Sequence, residues 1–183
     1  AGLITLPAQA GVAVLYHHVN ETTPAITSIS PAQFKRHLEI IEEEGFTVVS
    51  LDTLVDKSMT AYTDDKLVSI TFDDAYRSIY TTAFPLLRER NWPFTIFVST
   101  ELMGTGNSLY LTWDELDIMS RHGASIANHT HTHGHMLRRL EDETDKLWRD
   151  RMANEIIEAR ERLKEHGFQS RHFAYPYGEY NQT

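Results

Sequence analysis

The sequence predicts an α/β fold: a parallel sheet with helical crossovers, either open or closed into a barrel. Three observations predict it. Short apolar, β-rich runs alternate with amphipathic stretches of helical period along the chain. Hydrophobic residues make up 41% and charged residues 23%, as in a globular domain with a core. Four polar clusters each follow a predicted strand, and parallel α/β folds place their ligands at those C-terminal strand ends. The length, 183 residues, suits one domain, read here as residues 12–183 after an N-terminal tail at 1–11.

Val12-Ala13-Val14-Leu15-Tyr16 reads as a buried strand that leads into His17-His18. A helix follows, with Ser30 as N-cap and Pro31 at its first position, presenting Phe34, Leu38 and Ile41 on one face and stopping at Gly45. Phe46 to Val49 is a second short strand, and Leu67 to Phe72 a third that ends directly at Asp73-Asp74. Residues 78–90 carry a helical pattern in which Pro85 implies a bend. Phe94 to Val98 is a fourth strand. Thr112 with Glu115 forms a capping box for a helix ending at Gly123.

Ala124 to Asn128 is a fifth strand, running into a histidine cluster. The longest helix spans Asp145 to Glu165 and stops at Gly167, with Trp148, Met152, Ile156, Ala159 and Leu163 as a core-packing stripe. His172 to Tyr175 is a sixth strand before Pro176-Tyr177-Gly178.

The composition excludes several function classes. A net charge of −9 argues against a nucleic-acid partner, and no apolar run approaches the roughly 20 residues needed to span a bilayer. With no cysteine there are no disulfides, thiolate metal sites or cysteine nucleophile, so a metal must rely on His, Asp and Glu. Residues 1–10 hold no basic segment and no long apolar stretch, so no signal peptide is expected within them.

Two clusters carry chemistry. In Thr71-Phe72-Asp73-Asp74, side-chain alternation along a strand points neighbouring carboxylates in different directions, so one can bind a metal while the other faces a water. An Asp pair after a strand is also a common polar turn. Asn128-His129-Thr130-His131-Thr132-His133-Gly134-His135 places four histidines in seven positions. A lone histidine is usually a surface or packed residue, but this density after a strand points to metal binding. His129 and His133 are four apart, which one helical turn would bring to the same side. His131 and His135 have the same spacing, so spacing leaves the pairing open. Two histidines and one carboxylate make a three-ligand site with room for water, as catalytic rather than structural metal sites have. A metal there lowers the pKa of water and polarises a carbonyl. A carboxylate base and a histidine acid complete a hydrolytic set.

Ser69 to Asp74 resembles the first motif of the polysaccharide deacetylases, carbohydrate esterase family 4, and Asn128 to His133 is similar to their second motif, H-[ST]-x-x-H. The resemblance covers residues 12–181 and implies a distorted (β/α) barrel. It also resolves the pairing: Asp74, His129 and His133 become the metal ligands and Asp73 the catalytic base, while His131 and His135 fall outside the matching positions. The family's histidine acid usually lies in a C-terminal L-x-H motif. Here Leu15-Tyr16-His17 stands at the N-terminus instead. The branch that deacetylates poly-β-1,6-N-acetylglucosamine in biofilm matrices has this permuted order, and Tyr16 to Val19 resembles it, which implies His17 as general acid and His18 as the lesser alternative.

Phe173 to Gly178 resembles the third motif, implying that the Tyr177 backbone N–H stabilises the oxyanion. Two departures stand out. Ala174 occupies the position where many members have an arginine that orients the base, with Arg171 as a substitute candidate, and Ala75 stands where glycine is frequent.

The resemblance implies hydrolysis of N-acetyl groups on an acetylated amino-sugar polysaccharide, with zinc as the default ion and cobalt or nickel compatible with the same ligands. Trp113 is a candidate sugar-stacking face or a packing residue. The alternatives are a deacetylase of peptidoglycan, chitin oligomers or acetylxylan, a non-catalytic carbohydrate-binding relative, and a metal-storage protein. The implied location is secreted, periplasmic or at the cell envelope. Six predicted strands against the family's seven or so, and no closing helix after Asn181, lead to the expectation of an incomplete barrel from a longer exported protein.

Overall fold

The structure, a computed structural model, describes residues 11–60 and 66–181. Its main sheet is parallel and five-stranded. Strands β1 (Val12–Tyr16), β5 (Leu67–Phe72), β6 (Phe94–Val98) and β7 (Ala124–Asn128) lie side by side in that order, and β4 (Thr47–Val48) pairs with the start of β5. A separate parallel pair, β2 (His18–Val19) and β3 (Ser28–Ile29), follows β1. The helices are α1 (Pro31–Glu43), α2 (Leu51–Thr60), α3 (Phe84–Glu89), α4 (Trp113–Ser120) and α5 (Asp145–Glu165). Among the described residues the sheet does not close into a barrel.

Strand registers explain how the site is positioned. In β5, Val68, Ile70 and Phe72 belong to the main core with Phe94, Ile96 and Val98 of β6. Against them pack Phe34 and Leu38 of α1, Leu87 of α3, Leu116 and Met119 of α4 and Leu163 of α5. Because side chains alternate, Ser69, Thr71 and Asp73 share the opposite face with Thr95, Ser99, Ala127 and His129. Every residue of β5 is buried, since strands flank it on both sides. One face is apolar and sits under helices. The other is built of mostly small and polar residues, with Leu15 and Phe97 among them, and carries the candidate site at its C-terminal end.

The predicted caps are present. Ser30 accepts from Gln33 N–H at 3.2 Å while the Gln33 side chain accepts from Ser30 N–H, and Thr112 with Glu115 repeats the arrangement on α4. Thr144 caps α5, whose apolar stripe buries Trp148, Met152, Ala159 and Leu163.

Three expectations are corrected. The β1 strand is not buried: Val12 and Leu15 are 41% and 54% exposed, because among the described residues β1 has only β5 beside it. The sixth strand reduces to a single parallel bridge, Asn128 to Phe173, since the chain turns away at Pro176. The helix over 78–90 is a π-turn at Ile79–Ala83 followed by α3, with Pro85 in the first turn of α3, where its missing N–H costs nothing. Helix α2 was not foreseen. The proposed tail lies outside the described residues except for Gly11.

Candidate metal centre

The aspartate pair leaves β5 through a turn with two consecutive left-handed residues, Asp74 at φ 67° and Ala75 at φ 54°. Asp tolerates this region; Ala does so at a steric cost. The turn is pinned on both sides: Asp73 N–H donates to Tyr16 O at 3.0 Å, and Ala75 O accepts from Leu111 N–H at 2.9 Å. Both carboxylates are buried, each 7% exposed.

The histidine pair is not on a helix. A turn with Thr130 at φ 70° and His133 at φ 58° reverses the chain after β7 and brings the two rings to 4.9 Å between centroids. Thr130 N–H donates to Asn128 Oδ1 at 2.8 Å, and His133 N–H to Thr130 Oγ1 at 3.1 Å. The four-residue spacing left the pairing open, and the helical turn it suggested is absent. A left-handed step, not a 3.6-residue period, makes the imidazoles converge.

The convergence point is Asp74 Oδ1, 2.8 Å from His133 Nε2 and 3.3 Å from His129 Nε2. Yet Oδ1 is buried without a hydrogen-bond partner, because neither ring N–H is directed at it. On its far side His129 Nδ1 faces the Ala174 carbonyl at 2.9 Å. A carbonyl only accepts, so Nδ1 carries a proton and the neutral ring has its lone pair on Nε2, the arrangement that prepares a histidine to bind metal. One ligand atom from each of Asp74, His129 and His133 falls within 4.8 Å of the others. An unpartnered carboxylate oxygen between two ring nitrogens is a donor set that fits a divalent cation and leaves coordination positions open. Such an ion supplies Lewis acidity, activating water and polarising a carbonyl oxygen.

The two aspartates are driven apart electrostatically. Burial pushes the Asp73 carboxyl up, and neither His129 nor His17 offsets it; its nearest ring nitrogen, His129 Nε2, is 3.9 Å away and its Oδ1 has no partner. Burial acts on Asp74 as well, but the adjoining His129 and His133 outweigh it and hold that carboxyl well below the usual range. Neighbouring acids pushed in opposite directions are the arrangement that a metal ligand and a general base require.

A cavity of about 680 Å³ opens over these groups. His17, Asp73, Asp74, His129, His133 and Tyr177 all line it, so the six residues to which the resemblance assigns the catalytic and metal-binding roles come together. His18 does not line it. That ring is buried and stacked on Tyr76 at 3.5 Å between centroids, behind the cavity wall. His131 turns away to Thr100 Oγ1 at 2.8 Å and Glu158 at 3.2 Å, and His135 binds Glu179 at 2.9 Å while stacking on Tyr177.

Arg171 does not reach Asp73. It pairs at 2.6 Å with both Asp52 and Asp56 of α2. Trp113 stacks flat on His166 at 3.7 Å and packs against the core, which leaves it no part in the cavity. Tyr76 and Tyr110, which also line the cavity, were missed. Tyr76 could have been found from its place two residues after Asp74, whereas Tyr110 sits in a loop without any local signal.

Residues 60–183 match the family model described as polysaccharide deacetylase. The putative polysaccharide deacetylase YxkH of Bacillus subtilis is 26% identical over 172 residues, which cover 92% of this chain and 57% of the relative, so the chain spans little more than half of that protein. The poly-β-1,6-N-acetyl-D-glucosamine N-deacetylase of Escherichia coli strain K12 is 28% identical over 90 residues, 48% of this chain and 13% of that one. Among solved structures, IcaB from Ammonifex degensii superposes with a TM-score of 0.81 at 27% identity, over 94% of this chain and 76% of that chain. With the motif-bearing strands, the metal-type donor set and this match in agreement, the chain belongs to the polysaccharide deacetylase family.

Proposed function

We propose that the protein is a metal-dependent N-deacetylase of an amino-sugar polysaccharide, with poly-β-1,6-N-acetylglucosamine as the substrate, and that Asp74, His129 and His133 hold its divalent ion, zinc by ligand type. The observation that carries the reading is the meeting of His17 with Asp73 and the three-ligand cluster in one cavity. An acid from the N-terminal strand end is the permuted order of the poly-β-1,6-N-acetylglucosamine branch, and the partial match to the Escherichia coli enzyme supports the same choice.

In this reading Asp73, raised by burial, takes a proton from the attacking water. The acetyl carbonyl oxygen lies toward the backbone N–H of Tyr177, a donor placed for developing negative charge. The left-handed φ of 57° at Tyr177 turns this peptide, and the Tyr177 ring packs edge-on to His133 at 4.7 Å. His17 gives a proton to the departing sugar nitrogen. Water and amide become acetate and a free amine. The polymer reading places this work outside the cytoplasm: secreted, periplasmic or at the cell envelope.

The test is acetate release from β-1,6- and β-1,4-linked N-acetylglucosamine oligomers by metal-stripped protein, by protein reloaded with zinc or cobalt, and by Asp73→Asn. Metal-restored release that favours β-1,6 linkage and disappears in the variant is expected. Preference for β-1,4 oligomers overturns the substrate, and release that ignores metal overturns the mechanism.

A further inference from the structure

The turn carrying both candidate histidine ligands has two non-glycine residues in the left-handed region, Thr130 and His133. Such a conformation persists only where its surroundings over-determine it. Part of the restraint comes from the loop after β6: Ser99 Oγ donates to His129 O at 2.9 Å, and Glu101 N–H to His131 O at 2.9 Å. The outer side of the turn is held differently, by one carboxylate on α5. Glu155 Oε2 accepts from the backbone N–H groups of His131 at 3.2 Å and Thr132 at 2.8 Å, and Oε1 accepts from the Thr132 hydroxyl at 3.0 Å. It touches neither ligand ring and does not line the cavity.

We infer that Glu155 is a positioning residue that sets the metal affinity of the site, by clamping the 131–132 peptides so that His133 Nε2 stays in register with His129 Nε2 and Asp74. Two features favour this role over a general contribution to helix docking. Helix α5 already has an apolar stripe for docking, with Trp148, Met152, Ala159 and Leu163 buried. And Glu155 meets two successive backbone donors and a hydroxyl with both of its oxygens, charge-assisted bonds that fix backbone direction. Residues behind metal ligands commonly govern affinity by factors of roughly 10 to 100. The inference rests on the metal reading of Asp74, His129 and His133.

The test is the zinc dissociation constant of the full chain, measured by chelator competition for the parent, Glu155→Ala, Glu155→Gln and Glu158→Ala, alongside the melting temperature of each metal-free protein. Glu158, three residues along α5, meets only the His131 ring and serves as the control. Zinc binding about 10- to 100-fold weaker in Glu155→Ala is expected. A smaller loss is expected in Glu155→Gln, which keeps one acceptor oxygen, with Glu158→Ala close to the parent. Should Glu155→Ala fail to fold, the near-isosteric Gln variant decides. Parent-like zinc affinity in the Glu155 variants, whatever their melting temperatures, overturns the inference, as does an equal loss in Glu158→Ala. A parent that binds neither zinc, cobalt nor nickel overturns the metal reading itself.

Discussion

The two turns that carry the candidate ligands solve the same geometric problem with different means. Each follows a buried parallel strand, and each contains two non-glycine residues at positive φ. The aspartate turn is held by main chain: Asp73 N–H to Tyr16 O, Ala75 O to Leu111 N–H, and the antiparallel bridge between Tyr76 and Tyr110. The histidine turn is held largely by side chains, with Asn128, Thr130 and Ser99 each supplying a hydrogen bond to its backbone. Main-chain bonds tolerate substitution, whereas side-chain bonds make each participating residue type necessary. The aspartate turn should therefore respond to mutation mainly through chemistry, and the histidine turn mainly through stability and metal affinity.

The largest expected effect belongs to the aspartate turn. Asp73→Asn should lower the rate of acetate release by about 10²- to 10⁴-fold, the usual worth of a general base, while zinc binding is retained. A parallel loss of zinc would make Asp73 a ligand and collapse the distinction between the two carboxylates. The next effect tests the other turn. Asn128→Ala removes the acceptor for Thr130 N–H and the donor to Ile156 O, so urea unfolding should show a loss of about 2–4 kcal/mol from the stranded buried groups. A loss below about 1 kcal/mol would mean that the turn holds without its side chains.

The pH dependence of the metal-free protein separates the two carboxylates of one turn. Asp74 has a native pKa below the ordinary aspartate value of 3.8, so it contributes stability above pH 3.8 that is lost as pH falls toward the native value. Asp73 has a native pKa above 3.8, so its contribution runs the other way: stability declines as pH rises from 3.8 through the native value. Asp73→Asn should therefore stabilise the chelator-treated protein more at pH 7 than at pH 4 in urea unfolding. An equal effect at both would show that Asp73 is not destabilised by ionisation.

The smallest effect is Ala75→Gly. Relief of left-handed strain, about 1–2 kcal/mol, is offset by loss of a fully buried methyl, about 0.8 kcal/mol, and by greater unfolded-chain entropy. The net change in unfolding free energy should stay within about 1 kcal/mol. Thr130→Gly, which relieves the same kind of strain but removes the hydroxyl bonded to His133 N–H, should instead destabilise.

How much of this was legible in the sequence follows from range. Strand β5, the N-cap at Ser30, the capping box at Thr112, and the stripe of α5 are local patterns, and the sequence shows them. The polar ends of β1, β5 and β7 likewise announced a site, because polar residues directly after apolar runs are visible without knowing what they meet. What stayed hidden depends on distant partners. The exposure of Val12 and Leu15 follows from β1 having one neighbour among the described residues, which no window of β1 reports. The capture of Arg171 by Asp52 and Asp56, more than a hundred positions away, left no mark near Ala174. The left-handed steps at Thr130 and His133 were invisible because neither is glycine.

The contact from His129 Nδ1 to the carbonyl of Ala174 bears on how freely this molecule can change. The imidazole reads a main-chain oxygen, which every amino acid presents alike. Whatever stands at position 174, the ring keeps the same tautomer and the same lone pair toward Asp74. The orientation of the His129 ring and the side chain at 174 are thereby uncoupled, so an arginine could be gained or lost there to retune Asp73 without disturbing the candidate ligand set. Such a position is a dial that natural variation or a designer can turn on its own.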